Sequence, residues 1–185
     1  AQLDDGPLFS WLVERRRVAK KVVQRALDKG SLGLSNWRHA DKTMGTVGYG
    51  GPAAAFIVRD PTTLQVHAVD MRYFDPDTNG GQKVCVKGEQ RGHAWCSDWT
   101  RLQEAKTVYV VDSPLNALSV ESCLLPYSAV VATRGTANVE HIDWTFLRHK
   151  FVVACFGNDP VSSKPGPDFG YSPGLRAAWR LHEIL

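Results

Sequence analysis

Residues 107–117 read TVYVVDSPLNA. The first five form a short, largely β-branched apolar run, the pattern of a buried strand. Asp112 follows at its carboxyl end, and Ser113-Pro114 then opens a segment with helical character over 115–125. Strand, acidic turn and helix therefore follow one another directly. In open α/β sheets ligands gather at the carboxyl ends of the strands, so Asp112 stands where chemistry is often placed. A second reading is that Asp112 or Ser113 merely caps the helix that Pro114 starts.

Downstream the same rhythm repeats. Strands are expected at 107–111, 129–133 and 151–156, with helices at 115–125, 139–148 and 174–184. The strands are almost continuously apolar, as parallel strands covered on both faces are. Strands alternating with helices of about ten residues imply a parallel sheet with crossover helices. The strand ends carry Asp112, then Thr133-Arg134-Gly135-Thr136, then Gly157-Asn158-Asp159. Acids from two neighbouring strand ends suit a hard divalent cation such as Mg²⁺, which takes carboxylate oxygens and keeps several waters. Arg134 and the Gly135 backbone would then meet phosphate. The alternative is an α/β packing domain whose turns use Asp, Gly and Asn for conformational reasons.

Upstream, the spacing of Leu8, Trp11, Leu12, Val18, Val22, Val23, Ala26 and Leu27 predicts helix over 7–29, with a break near Arg17-Val18 as one option. Arg15, Arg16, Arg17, Lys20, Lys21, Arg25 and Lys29 crowd this stretch. Such a basic helix is either a solvated face or a phosphate-contacting surface. Residues 31–51, rich in Gly, Ser and Asn, read as loop with little regular structure. Segments 53–59 and 65–74 predict a β-hairpin, 75–81 a turn, and 82–86 a further strand. Ser97 or Asp98 is expected to cap a short helix ending before Lys106. The chain is thus divided at 105, with a basic mixed α+β part over 1–105 and an α/β part over 106–185.

The composition is that of a soluble globular protein, 43% hydrophobic and 22% charged over 185 residues, and the net charge of +3 does not by itself demand nucleic acid. No apolar run approaches the roughly 20 residues of a membrane span. The acidic start AQLDDGPLF lacks the pattern of a signal peptide, and the missing Met suggests processing or a piece of something longer. Cys85, Cys96, Cys123 and Cys155 contain no C-x-x-C pair. Cys123 and Cys155 read as buried small hydrophobes, and the spacing of Cys85, His93 and Cys96 fits no common zinc pattern. A cytoplasmic location is expected.

Four segments, VYVVDSPLNALSVES, AVVATRGTANV, FVVACFGNDP and GLRAAWRL, together resemble the TOPRIM domain shared by bacterial-type DNA primases, topoisomerases and certain nucleases. Upstream, VGYGGPAAAFIVRDPTTLQVHAVDMRYF and QKVCVKGEQ follow the order of the primase catalytic core: a glycine-rich segment, a hairpin, an Arg and then a Lys. WLVERRRVAKKVVQRALDKGSLG looks like the helical lead-in of primases from phages, plasmids and integrative elements. The resemblance covers most of the chain. It implies a small TOPRIM-like parallel sheet with helices on both faces, preceded by a mixed α+β primase-core-like subdomain.

The resemblance also implies where metal would sit. The family holds it with a Glu at the end of the first strand and an Asp-x-Asp at the end of the third. These positions are Asp112, and Gly157 with Asp159. The family's Gly after the Glu is Ser113, a further acid four residues beyond the Glu is Asn116, and the Gly-Thr of the middle loop is kept as Gly135-Thr136. Residues 160–173 interrupt the usual continuation into GLRAAWRL. Shortening Glu to Asp112 draws the carboxylate back by about 1.5 Å, and misplacement by about 1 Å can cost roughly a hundredfold in rate. Gly157 removes a ligand outright, which argues against two metals held close together. Asn158 offers a neutral oxygen or serves an ordinary turn.

What the resemblance then implies is a metal pair of residues, Asp112 and Asp159, for Mg²⁺ or Mn²⁺, and a weakened or lost nucleotidyltransferase centre. Arg72, Lys83, Lys87, Arg134 and Gly135 would meet nucleic-acid or nucleotide phosphate, or else Arg72, Lys83 and Lys87 are solvated strand-edge charges. Single-stranded DNA and nucleoside triphosphates are the expected partners, with a helicase or other replication protein beyond them and no membrane. Trp37, in a polar loop, is a candidate for base stacking, whereas Trp95 and Trp99 read as buried anchors. Three classes follow: a primase-type enzyme, a TOPRIM-derived DNA- or partner-binding module, and a TOPRIM-type nuclease.

Overall fold

The computed structural model describes residues 6–157, 159–163 and 170–185. The chain forms two compact units, residues 1–90 and 91–185. The division falls ahead of the expected break at 105. The intervening residues belong to the second unit because Trp95 and Cys96 pair with one of its strands and Leu102 and Trp99 lie in its core.

The first unit opens with α1 (Pro7–Phe9), which continues as a π-helical stretch, Ser10–Arg15. The break near Arg17 is real: Arg17 adopts φ 60°, Val18 donates its N–H to Leu12 O, and α2 spans Lys20–Asp28. A four-stranded antiparallel sheet follows in the order β1-β2-β3-β4, with β1 Leu32–Ser35, β2 Ala53–Arg59, β3 Val66–Tyr73 and β4 Val84–Gly88. The hairpin β2–β3 and the turn at 75–81 agree with the sequence pattern. β1 corrects the loop expected over 31–51. Its four residues, LGLS, carry little strand propensity, and it is the register against β2, Leu32 opposite Phe56 to Ser35 opposite Ala53, that makes it a strand. Leu12, Val18, Val22, Val23 and Ala26 are buried together with Leu32, Phe56 and Val58, and Trp11 packs on Phe74 at 5.1 Å between ring centroids.

The second unit has a sheet in the order β5-β7-β6-β8. β6 (Thr107–Val111) pairs in parallel with both β7 (Ser128–Ala132) and β8 (Phe151–Ala154). β5 (Trp95–Cys96) adds an antiparallel edge to the expected parallel sheet. Helices lie on both faces. Val108, Val110, Ala129 and Val131 share one core with Trp99 and Leu102 of α3 (Trp99–Glu104) and with Ala177 and Leu181 of α5 (Pro173–Ile184). The alternate residues Val111, Val130 and Ala132 are equally buried and point the other way, the side of α4 (Pro114–Glu121), which packs on β7 and β6.

The helix expected over 139–148 is replaced by two 3₁₀ turns, Thr136–His141 and Thr145–Leu147. Asp143 explains the interruption, since its carboxylate accepts the Thr145 N–H at 2.9 Å and so takes a donor that a helix would need. Val139, Ile142, Trp144 and Leu147 still reach the core. Of the two cysteines read as buried, Cys123 is exposed and Cys155 only partly buried. Cys123 lies beyond the last turn of α4, where the pattern of the helix no longer sets its direction.

A charged group is buried in this unit. Glu121 of α4 accepts from Ser97 Oγ at 2.5 Å and from Arg101 Nη1 at 3.0 Å, while Arg101 Nε donates to Ser128 O at 2.8 Å. Both carboxylate oxygens are therefore satisfied. Removing one partner of such a pair leaves the other uncompensated, at a cost of about 3–5 kcal/mol. Glu121→Ala is expected to lower the unfolding free energy by about that amount, read from the urea midpoint of the full chain; an unchanged midpoint would contradict this account.

Candidate metal and phosphate site

Because β6 is central and parallel to both neighbours, the carboxyl ends of β7, β6 and β8 lie side by side. The question of which residue caps α4 is decided by geometry. Ser113 Oγ accepts the Asn116 N–H at 3.3 Å, with Pro114 at the first helical position. Asp112 is thereby released from capping. Its Oδ1 accepts from Asn116 Nδ2 at 2.7 Å, and among the described residues its Oδ2 has no hydrogen-bond partner. Where the resemblance places a second acid, an amide instead donates to the first. That amide occupies an oxygen that a cation would use.

The end of β7 is tied to Asp112 through the backbone. Gly135 N–H donates to Asp112 O at 2.7 Å, and Thr133 N–H to Val111 O at 2.8 Å. Arg134 and Gly135 both have positive φ, 66° and 127°. The Gly135 amide is thus committed to the neighbouring strand end, and Arg134 Nη1 donates to His93 O at 3.4 Å.

A buried residue that sequence reasoning missed organises this turn. Asn138 donates from Nδ2 to Thr133 O at 2.7 Å and to His93 O at 3.2 Å, and its Oδ1 accepts the Gly92 N–H at 2.9 Å. The available signal was an Asn two residues past Gly135-Thr136, set between the apolar Ala137 and Val139.

At the end of β8, Gly157 and Asp159 are exposed. The Asp159 carboxylate lies across Gly157, 3.5 Å from where a Cβ would project. Asn158 lies outside the described residues, as do 164–169 of the inserted segment. On either side of that gap Ser162 N–H donates to Tyr171 O and Gly170 N–H to Ser162 O, each at 2.9 Å. Gly174 abuts the Gly157 carbonyl so closely that a Cβ there has no room. Among the described residues, no group of three His, Cys, Asp or Glu ligand atoms includes Asp112 or Asp159. The donor set does not fit two cations. The carboxylates at these two strand ends are Asp112 and Asp159, the pair expected from the sequence for a single cation.

The basic residues of the first unit do not form one site. Arg72 lies on β3 opposite Ala54 and Val84, whereas Lys87 of β4 lies opposite Val69. The alternation of β3 therefore puts Arg72 and Lys87 on opposite faces of the sheet. Arg72 is half-buried, and its guanidinium is held below its ordinary pKa by burial and then by the nearby charge of Arg16. Arg16 itself stacks over Trp11 at 4.9 Å. On the other face Lys87 Nζ sits 4.9 Å from the centroid of Trp37, whose ring meets His39 edge-on. Lys83, exposed and two residues before Cys85, is in phase with Lys87. Trp37 is 44% exposed, whereas Trp95 is fully buried and Trp99 nearly so. Burial pushes the Cys96 thiol far up, which removes it as a thiolate ligand.

Comparison with solved structures shows a shared fold. A DnaG catalytic core matches with a TM-score of 0.54 at 15% identity, over 97% of this chain and 61% of that one. A DnaG primase catalytic domain bound to single-stranded DNA matches at 0.56 and 14%, over 96% and 60%. The primase fragment of the bacteriophage T7 primase-helicase protein matches at 0.54 and 13%, over 93% and 59%. The chain thus spans less than two thirds of each of these neighbours, and it has the fold of primase catalytic cores. No protein-family model matches the sequence, and no curated protein does.

Asn138→Ala takes a donor from Thr133 O and from His93 O, which keeps Arg134, and an acceptor from the Gly92 N–H, each buried group costing about 1–3 kcal/mol when unsatisfied. A loss of at least about 2 kcal/mol in unfolding free energy is expected on thermal and urea denaturation. An effect near zero would mean that the turn holds its shape without Asn138.

Proposed function

We propose that the chain is a primase-type TOPRIM protein of DNA replication or mobile-element DNA metabolism, which binds single-stranded DNA and has a weakened or lost centre for primer synthesis. The reading is supported by the primase-core fold together with one local observation: the Asn116 amide donates to Asp112 where a second acid would be needed. In this reading Asp112 and Asp159 hold one Mg²⁺ or Mn²⁺ at most, and a nucleoside triphosphate completes its shell. The ion, when bound, supplies charge stabilisation to a phosphoryl group in an in-line displacement. Arg134 neutralises phosphate beside the strand ends, and Gly135 keeps the β7 turn against Asp112. A binding module without catalysis is the second reading, favoured by Gly157 and Asn116. A nuclease would depend on the same reduced set of acids. One neighbour is a fragment of a primase-helicase protein, and a helicase partner belongs to the proposal. No helix among the described residues is long and apolar enough to cross a membrane.

DNA contact is assigned to the Trp37 face of the first unit. An exposed indole with Lys87 above it and Lys83 in phase joins a stacking platform to positive charge, the combination used for single strands. Arg72 and Arg16, on the opposite face, form a separate basic pair.

Two experiments test the reading. Calorimetric titration of Mn²⁺ in the presence of a nucleoside triphosphate is expected to show weak binding that Asp112→Ala abolishes; binding indifferent to Asp112 removes the assignment of the metal site. In fluorescence titrations with an oligo-dT strand, Trp37→Ala should weaken binding about tenfold or more, as loss of one stacked base does. Lys83→Ala with Lys87→Ala should flatten the salt dependence, since each phosphate contact contributes about 0.7 to the logarithmic slope for single strands. Unaltered affinity and slope would move the DNA surface elsewhere.

A further inference from the structure

The sheet of the second unit ends on an open strand. β8 lies outermost in the order β5-β7-β6-β8, and among the described strands it pairs with β6 alone. Phe151 N–H donates to Lys106 O and Cys155 N–H to Val110 O, each at 2.8 Å. Backbone groups alternate sides along a strand, so the N–H and C=O of Val152 and Ala154 turn away from β6. Among the described residues these outward groups meet no backbone partner.

Proteins usually blunt such an edge with charge, proline or a covering element. β8 reads FVVA, with neither charge nor proline, and is merely short. Phe151 is 70% exposed and Ala154 is exposed, whereas every residue of β7 is buried. Val152 reaches the core on one face, and Phe151, Val153 and Cys155 lie on the other, exposed or half-buried. Charge then selects the occupant. Arg148 and His149 stand exposed just before β8, and Asp159 stands exposed just after it. A second β8 laid antiparallel on the first sets the basic start of each copy beside the acidic end of the other, twice by symmetry. The backbone selects the register. Only outward residues can exchange bonds across the edge, so Val152 faces Ala154 of the partner subunit, Ala154 faces Val152 of the partner subunit, and the two-fold axis passes at Val153. That register engages every outward group of the strand and lays Phe151 across from Cys155 of the partner subunit.

We propose that two copies of this chain join through β8, antiparallel about a two-fold axis, so that their two four-stranded sheets become one. The paired residues are few beside the about 20–30 a side of a standard interface. The dimer is therefore reversible, and a dissociation constant of about 10–100 μM is expected. In this arrangement Arg148 of one copy stands near the strand ends of the other, so association brings the candidate site a positive charge from outside its own chain. The contact requires neither a metal nor primer synthesis, which separates it from the proposed function.

Sedimentation equilibrium of the full chain tests this, with EDTA and a reducing agent present so that neither a shared cation nor a disulfide through exposed Cys123 joins copies. The wild type is expected to pass from monomer to dimer over about 1–300 μM. Ala154→Pro removes an outward N–H and leaves the β6 ladder intact, as proline does on an edge strand. By symmetry it deletes a bond from each copy, and Kd should rise about tenfold or more. Phe151→Lys, at an exposed position, puts charge on the edge and should also break the pairing. Thermal unfolding identifies which variants are folded, and Phe151→Lys decides if Ala154→Pro is not. In hydrogen exchange the Val152 and Ala154 amides should slow as wild-type concentration rises. A wild type still monomeric at about 300 μM, or a dimer that survives Phe151→Lys in a folded chain, overturns the proposal. So does a dimer whose Val152 and Ala154 amides exchange as fast as those of the monomer. Because EDTA is present, such a failure says nothing against a metal at Asp112.

Discussion

The second unit is built around a charge that it buries. Glu121 sits inside the protein on α4, and its carboxylate is bearable there only because Ser97 and Arg101 meet both oxygens. A buried ion pair of this kind is not a large net source of stability compared with apolar packing. What it imposes is arrangement. Arg101 can serve Glu121 only if α3 and α4 lie at the same end of β7, and its Nε binding to Ser128 O pins that strand at its start. With α4 located in this way, its first turn and the carboxyl end of β6 meet at a defined place, and Asp112 is delivered to the middle of three adjacent strand ends.

What happens at those ends depends on small substitutions. Ser113 takes over the capping task, which frees the Asp112 side chain, and Asn116 then occupies one of its oxygens. Gly135 spends its amide on the Asp112 carbonyl, so the turn after β7 is fastened to the acid instead of presenting an open backbone cradle. Across the strand end, Gly157 leaves space into which the Asp159 carboxylate folds. Few anionic ligands remain, and one oxygen of Asp112 is already taken by the Asn116 amide. Arg134 adds a positive charge beside these strand ends.

In the first unit the antiparallel sheet sorts basic residues by parity. Arg72 and Lys87 look alike in a sequence, one on each strand of a neighbouring pair. A difference of one residue in phase sends the first toward Arg16 and the second toward Trp37. Grouping them as a single phosphate-binding set overlooked this. The reading of 139–148 as one helix failed for a related reason, since apolar spacing cannot report that Asp143 withdraws the Thr145 amide.

The sequence by itself determined the elements whose physics is local: the apolar strands expected at 107–111, 129–133 and 151–156, found to within two residues, the Pro-started helix after Ser113, the β2–β3 hairpin, and three strand ends lying side by side. Periodicity, proline and β-branching act over a few residues and can be read directly. Only the tertiary structure decided that LGLS is a strand, that Trp95 and Cys96 form an antiparallel edge, that Asn138 knits the Thr133 turn, and that Arg91 shares a cavity with Arg176. Each of these rests on a partner from 18 to 85 residues away, and a contact over that separation leaves no periodic trace in the chain that makes it.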